Sequence, residues 1–211
     1  MINKKSWDIN LDWIKYTSYS QLDIKKEVNP IDGKYLVEEK TIVEEAKLPF
    51  YRDNIKLVRL IDDKWKKGLE IYYLVLDGDN LFRLNGTSPP IHEVNAKAPI
   101  NLDQENAMDY LKFFCHFVRG EEGPFIITDF LQPNEIPEIK DFKEKEEFNL
   151  NLYPTKFNGM DKGNFMFTSI IWYSNALFAA RFKIQPSGMV HMLEDEPIQG
   201  GLSVKYPYSL S

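Results

Sequence analysis

Hydrophobic and polar positions alternate along much of the chain with the period of two that is typical of β-strands. Three apolar runs at residues 55–61, 69–76 and 81–84 follow one another with short polar breaks between them. One break contains Asp77-Gly78, which suits the positive φ angles of a tight hairpin turn. These runs predict an antiparallel meander that the tandem prolines Pro89-Pro90 end, because proline cannot donate to a β-ladder.

A second meander is predicted in the last third of the chain. Its strands are expected at residues 165–173, 177–184 and 189–193, with turns at Ser174-Asn175 and at residues 185–188. The middle strand has its apolar side chains on one face and its cations on the other, which predicts one core face and one solvent face. The apolar face has Phe178, Ala180, Phe182 and Ile184, and the other face has Arg181 and Lys183.

Three further strands are predicted with less pattern to support them. Residues 7–13 alternate tryptophan and aliphatic residues with polar ones, residues 35–43 fit an edge strand or an extended arm, and Gly123-Pro124 opens a strand that ends near Phe130.

The clearest helical pattern spans residues 102–118. Asn101 or Asp103 can cap its first turn, and Gly120 is placed to end it in the left-handed region. Its apolar stripe is wide, so we expect a helix that is covered on two sides. The stripe consists of Ala107, Leu111, Phe114 and Val118, widened by Tyr110, Phe113 and Phe117.

The predicted fold class is therefore α+β, with two antiparallel β-meanders, or one strongly curved sheet, packed around one main α-helix. We expect residues 1–211 to form a single domain with a charged internal linker around residues 131–147.

Charge and composition limit the classes of partner. A formal net charge of −6 and a pI near 5.2 disfavour general binding to nucleic-acid phosphates, which requires clustered Lys and Arg. RNA binding through aromatic sheet faces stays a third hypothesis, the least favoured because it requires a basic face.

The cysteine content and the apolar runs indicate the compartment. Cys115 is the only cysteine, so neither an intramolecular disulfide nor a cysteine-based zinc site is expected. No signal-like h-region follows the N-terminus, and no apolar run approaches the ~20 residues of a membrane helix. We expect a cytoplasmic protein with no membrane partner.

Recognisable catalytic motifs are absent from the sequence. It contains no phosphate-binding glycine loop, no G-x-S-x-G elbow and no H-E-x-x-H pattern, so no cofactor is expected. Of the three histidines, His191 is expected to be half-buried on a strand, and His92 is expected in a loop after the prolines. Metal binding would require assembly from distant segments.

The candidate polar site is the helix-to-strand corner at residues 119–124. There Gly120 and Gly123 bracket Glu121 and Glu122, while Arg119 and His116 lie one turn back. Paired acids can act as acid and base, but adjacent surface glutamates are usually only solvated. Cys115 and His116 are neighbours that point about 100° apart on a helix, so a buried structural cysteine is favoured over a dyad.

Aromatic residues provide the other candidate binding residues. Tyr72, Trp172, Tyr206 and Tyr208 fall on outward or ambiguous faces, where they suit a protein interface. A second core layer would use the same side chains. The leading functional hypothesis is therefore a non-enzymatic protein–protein interaction or adaptor protein, with a homo-oligomer left open. The alternative is a small enzyme or ligand-binding protein with a pocket between sheet and helix.

Overall fold

The structure is a computed structural model that describes residues 11–16, 24–26, 40–65, 69–128 and 153–203. These residues form mostly antiparallel β-sheet with few helices, which agrees with the predicted α+β class. The described residues divide into two compact units, an N-terminal unit that ends at Asn101 and a C-terminal unit that begins at Leu102. That all 211 residues form a single domain stays a prediction, and the expected linker at residues 131–147 lies outside the described residues.

The N-terminal unit contains a five-stranded antiparallel sheet in sequential order, β1 to β5. Its strands are β1 (Ile14–Lys15), β2 (Ile42–Lys47), β3 (Ile55–Ile61), β4 (Glu70–Leu76) and β5 (Asn80–Arg83). The predicted first meander corresponds to β3, β4 and β5. The strand expected at residues 35–43 begins instead at Ile42, and the strand expected at residues 7–13 lies largely outside the described residues.

The turn between β4 and β5 has the geometry that its sequence predicts. Asp77 has φ 55° and Gly78 has φ 84°, so both residues of the Asp-Gly pair adopt positive φ in a three-residue connection formed by residues 77–79. This turn fixes the register of the two strands, in which Leu76 lies opposite Asn80.

Both faces of this sheet are apolar near its centre. Six of the seven residues of β4 are buried, which requires cover on both sides because successive side chains point to opposite faces. One core cluster contains Val43, Val58, Leu60, Ile71, Tyr73 and Val75 from one face, with Tyr16, Ile24, Trp65 and Leu69. The other face contacts a helix, α1 (Pro89–Lys97), through β4 and β5.

The prolines that end the sheet also begin α1, so the expectation that His92 lies in a loop is wrong. Proline is tolerated in the first turn of a helix, where its missing N–H has no intrahelical partner. Ile91 and Val94 are buried on this helix, whereas His92 is only half-buried, and burial lowers the pKa of its imidazole.

The second helix, α2 (Ala107–Phe117), is shorter than the predicted range of 102–118. Asp103 Oδ1 accepts the N–H groups of Glu105 and Asn106 at 2.8 and 2.9 Å, so it organises a separate turn before the helix. No residue of α2 is exposed, as the wide apolar stripe predicts. The expected left-handed ending at Gly120 is wrong, because the helix ends at Phe117 and Val118 is already extended.

The C-terminal unit contains a small hairpin and a larger antiparallel sheet. The hairpin is β6 (Arg119–Gly120) with β7 (Gly123–Pro124), and the sheet has β8 (Ile126–Ile127), β9 (Lys156–Asp161), β10 (Asn164–Tyr173), β11 (Ala176–Ile184) and β12 (Val190–Gln199). Both β8 and β9 pair with β10, and the order continues through β11 to β12. The predicted second meander corresponds to β10–β12. However, β9 was not predicted, and β12 continues six residues beyond the predicted end.

The face assignment for β11 holds over only part of the strand. Ala180, Phe182 and Ile184 are buried and Arg181 is exposed, as expected. At the other end of the strand Leu177 is also buried, although it points to the same side as Arg181. It belongs to a second core cluster with Ile126, Ile170, Trp172 and Leu202. This end of the sheet is therefore apolar on both faces.

Candidate functional site

The predicted polar corner after α2 is a tight hairpin. Glu121 and Glu122 form its turn, and both are exposed. The pairs that close the hairpin are Arg119 with Pro124 and Gly120 with Gly123. The two carboxylates therefore lie at the tip of a turn, where water solvates them.

Tyr173 holds this hairpin against the sheet. Its hydroxyl accepts the backbone N–H of Glu122 at 3.1 Å, and its ring stacks on Phe125 with 4.6 Å between ring centroids. The same ring lies over Gly120, where an added Cβ would approach Tyr173 Cε2 and Cζ to 2.9 Å. Gly120 is therefore required by the close approach of Tyr173 and not by a left-handed backbone.

His116 and Arg119 are both half-buried, on α2 and β6 respectively. The His116 ring meets Phe117 edge-on, with 4.8 Å between centroids. Burial lowers the pKa of the Arg119 guanidinium from its ordinary value. Sequence proximity places these two side chains near the hairpin, but the glutamates of the predicted site face solvent.

Cys115 is buried on α2, and burial raises the pKa of its thiol to about 12. The thiolate is the nucleophilic form of cysteine, so this thiol is unreactive at neutral pH. The structure agrees with the preference for a structural cysteine over a cysteine–histidine dyad.

Tyr72 is buried in the N-terminal sheet, in contrast to the outward position considered for it. Its hydroxyl donates to the Glu70 carboxylate, and burial, followed by the charge of Glu70, raises its pKa well above the ordinary value.

The neighbouring Arg59 links this tyrosine to the segment before β1. Its guanidinium donates to Glu44 Oε2 at 2.7 Å and stacks over the Trp13 ring at 3.9 Å from the centroid. The Trp13 and Tyr72 rings are themselves 6.4 Å apart. Cation–π stacking and ion pairing thus anchor Trp13 to the sheet, which is a structural role.

Trp172 is also buried, in the second core cluster of the C-terminal unit. Its indole N–H donates to the Ser174 carbonyl at 2.9 Å. For Tyr72 and Trp172 the second core layer is therefore the correct interpretation. Tyr206 and Tyr208 lie outside the described residues.

Within the described ranges the structure has neither a cluster of metal ligands nor a membrane-spanning helix. No group of three or more His, Cys, Asp and Glu side chains is arranged to hold a metal ion there. The helices of that part of the chain are also too short or too polar to span a membrane. His191 is half-buried, as predicted, with its Nε2 at 3.2 Å from Gln185 Nε2.

Three exposed apolar side chains lie close together in sequence along the β12 edge of the C-terminal sheet, a feature that the sequence interpretation missed. Among the described large hydrophobic residues, Met189, Met192 and Leu193 are 37%, 36% and 42% exposed. Three exposed acids follow them directly. We call the exposed residues of this segment the β12 rim, and they are Met189, Met192, Leu193, Glu194, Asp195 and Glu196.

The sequence contains a signal for an edge strand at β12, although the alternation of apolar residues alone does not show it. β12 was predicted to end at Leu193 because three acids interrupt the alternation there. A strand at the edge of a sheet tolerates charges and proline, since one side of its backbone faces water. The acids at residues 194–196 followed by Pro197 are therefore consistent with an edge strand, and the strand continues to Gln199.

Comparisons of this chain with protein-family profiles, with curated proteins and with solved structures found no match.

Proposed function

We propose that this chain is a non-enzymatic protein–protein interaction or adaptor protein, and that it binds another protein through the β12 rim. The observation that supports this proposal is the exposure of three neighbouring apolar side chains, Met189 just before the edge strand β12 and Met192 and Leu193 on it. Exposed apolar surface bordered by polar residues is typical of interaction sites.

The side chains of the β12 rim suit a binding surface. Methionine has a flexible and polarisable side chain that adapts to different partners. A third methionine, Met160, is 45% exposed at the opposite side of the same sheet. Because Met192 and Leu193 are 36% and 42% exposed, complete burial at an interface would contribute about 0.5–1.3 kcal/mol for each side chain, the exposed fraction of the roughly 1.5–3 kcal/mol for a fully exposed one.

The alternative of a small enzyme or ligand-binding protein has less support. It requires a pocket between sheet and helix into which His116, Arg119 and the two corner glutamates point. Glu121 and Glu122 are exposed at the hairpin tip, and the nearby Cys115 thiol has a pKa of about 12. A polar site built on this corner would have to use the other two side chains alone.

Several finer expectations belong to the same proposal. In the C-terminal unit, the Tyr110 hydroxyl donates to the Gly188 carbonyl at 2.6 Å, which supports packing of the second meander on α2. Packing of the first meander on the same helix stays a prediction. The lone cysteine supports a cytoplasmic location, and the net charge of −6 supports a protein partner over nucleic acid.

The test is affinity capture from an extract of the native source with two matched variants of the full chain. One variant replaces the rim side chains by Met192→Thr and Leu193→Thr, which keep a residue that favours β-strands. The control makes the same kind of change at Ile14→Thr and Ile42→Thr, which are 57% and 51% exposed on the other unit.

We expect a discrete partner that is captured by the wild-type chain and the control but lost with the rim variant. Light scattering after size-exclusion chromatography then gives the stoichiometry of the purified complex. A wild-type chain that stays a monomer and captures nothing, or a partner that the rim variant retains, would contradict the proposal.

A further inference from the structure

We infer that the β12 rim binds an extended, positively charged segment of its partner, which adds a strand to the outer edge of β12. This inference rests on the proposed function and specifies the chemistry of the partner at the same surface. It depends on the outer edge of β12, on the charges of the rim and on its apolar side chains.

No strand among the described residues occupies the outer edge of β12. Within the described ranges, β11 is the only strand that pairs with β12, on its inner side. Proline in an edge strand has its nitrogen on the side away from the neighbouring strand. By alternation, the N–H and C=O of Asp195 point to the same outer side as the nitrogen of Pro197, and they are available to an added strand.

The charges of the rim select a cationic segment. Glu194 already pairs with Arg181 at 2.7 Å, whereas no ion pair in the described part of the chain involves Asp195 or Glu196. Tyr153 lies near Glu196 and is 37% exposed. Its partial burial, and secondly the charge of Glu196, raise the pKa of the Tyr153 hydroxyl. Lysine or arginine opposite Glu196 would form a favourable cross-strand pair.

The apolar side chains of the rim determine which residue types the docked segment has at its other positions. Met192 lies opposite Phe182, and Asp195 lies opposite Ala180, so both point to the same face of the sheet. Glu194 and Glu196 point to the other face. A docked strand therefore presents apolar residues toward Met192 and cations toward the two glutamates. The bulge at Leu193 and the missing N–H of Pro197 keep the paired stretch short.

The same charges disfavour a second copy of this chain as the occupant. Any symmetric antiparallel pairing of two β12 strands centred on residues 194–196 places the acids of one copy opposite those of the other. Like charges directly opposite one another destabilise a strand pair. The edge is therefore suited to a different, cationic chain.

The experiment measures binding of two synthetic peptides to the full chain by isothermal titration calorimetry. The first is a decapeptide that alternates lysine with valine, and the second is the same peptide with every backbone amide N-methylated. The two have the same charge and length, but the second has no backbone N–H on either edge and cannot donate to a strand ladder. Hydrogen–deuterium exchange of the complex locates the binding site.

A charge-matched pair of variants separates local from general attraction. Glu196→Lys reverses a charge on the glutamate face of the rim, and Glu122→Lys makes the same change at the exposed corner turn. We expect the lysine–valine peptide to bind the wild-type chain and the corner variant alike, and the rim variant about tenfold more weakly. We also expect protection from exchange within residues 190–199.

Three results would overturn the inference: no binding of the lysine–valine peptide, equal binding of both peptides, or equal weakening by both charge reversals. Its failure is distinct from failure of the proposed function. If the native partner is lost with the Met192→Thr and Leu193→Thr variant while the lysine–valine peptide does not bind, the rim is the interaction surface but the partner is not a cationic strand.

Discussion

Tyr173 shows how one aromatic side chain determines the shape of the corner after α2. Its hydroxyl and its ring together contact the Glu122 amide, the Phe125 ring and Gly120. The sequence pattern places Gly120 correctly at the corner but assigns it the wrong reason, because the partner is 53 residues away and no local pattern encodes it.

Gly120→Ala should destabilise the C-terminal unit. The new Cβ would approach the Tyr173 ring to 2.9 Å, so the ring must move and lose its stacking on Phe125. We expect a loss of about 1–3 kcal/mol in the free energy of unfolding, measured by urea denaturation. Gly200→Ala is the matched control, since nothing lies within 4 Å of its Cβ position. Equal stability of both variants would contradict the role given to Tyr173.

The hydrogen bond between the buried Thr41 and Asp62 should stabilise the N-terminal unit by an amount that depends on pH. The Thr41 hydroxyl donates to Asp62 Oδ2 at 2.7 Å, and the N–H of Lys64 donates to Oδ1 at 2.9 Å. These bonds hold the pKa of Asp62 below its ordinary value of 3.8. A depressed carboxyl pKa stabilises the folded state above the unfolded pKa, and the stabilisation is lost as the pH falls through the folded pKa.

Thr41→Val is therefore expected to cost about 1 kcal/mol at pH 7 and less at pH 3 and below. The measurement is urea denaturation at both pH values. Thr87→Val removes an exposed hydroxyl that bonds the neutral Asn85, so we expect a smaller change without pH dependence. A Thr41→Val effect that is the same at both pH values would show that Asp62 is not the group stabilised.

At the scale of elements, the apolar strands of the two meanders were predicted more accurately than the polar strand β9 and the helix α1. The strands β3, β4, β10 and β11 agree with the predicted ranges to within one residue at each end, because each combines alternation with a turn signal. The strand β9 was missed because its residues are mostly polar or small. The helix α1 was missed because tandem proline was interpreted only as the end of a sheet.

The hairpin between β4 and β5 provides an element-scale prediction. Gly78 has φ 84° and an open Cβ position, so only backbone strain opposes a side chain there. Gly78→Ala should destabilise the N-terminal unit by about 1 kcal/mol, whereas Gly78→Asn should cost less because asparagine tolerates the left-handed region. Thermal unfolding of the two variants checks this. An alanine variant as stable as the wild type would contradict the backbone strain assigned to the positive φ of Gly78.

The candidate site was predicted less well than the fold. Burial of Tyr72 and Trp172 follows from apolar layers on both faces of each sheet, and a strand pattern cannot reveal what covers its second face. The β12 rim was not predicted because exposed methionine and leucine in a sequence resemble core residues. Only the position of β12 at a sheet edge distinguishes them.

At the scale of the whole molecule, the single-domain prediction has a direct consequence. If the 211 residues form one cooperative domain, β4 in one unit and β10 in the other exchange their amide hydrogens through the same global unfolding. Native-state hydrogen exchange read by mass spectrometry is expected to give equal free energies of opening for these two strands. Free energies that differ by several kcal/mol would show two separately unfolding units.

The central claim, that the chain works by binding another protein at the β12 rim, is tested most directly by site-specific photo-crosslinking in an extract of the native source. A photoreactive phenylalanine analogue replaces Leu193 in one variant and Glu122 in a control, both exposed positions of the C-terminal unit. The account predicts one adduct of discrete mass from position 193 and none from position 122. No adduct from position 193, or the same adducts from both positions, would contradict it.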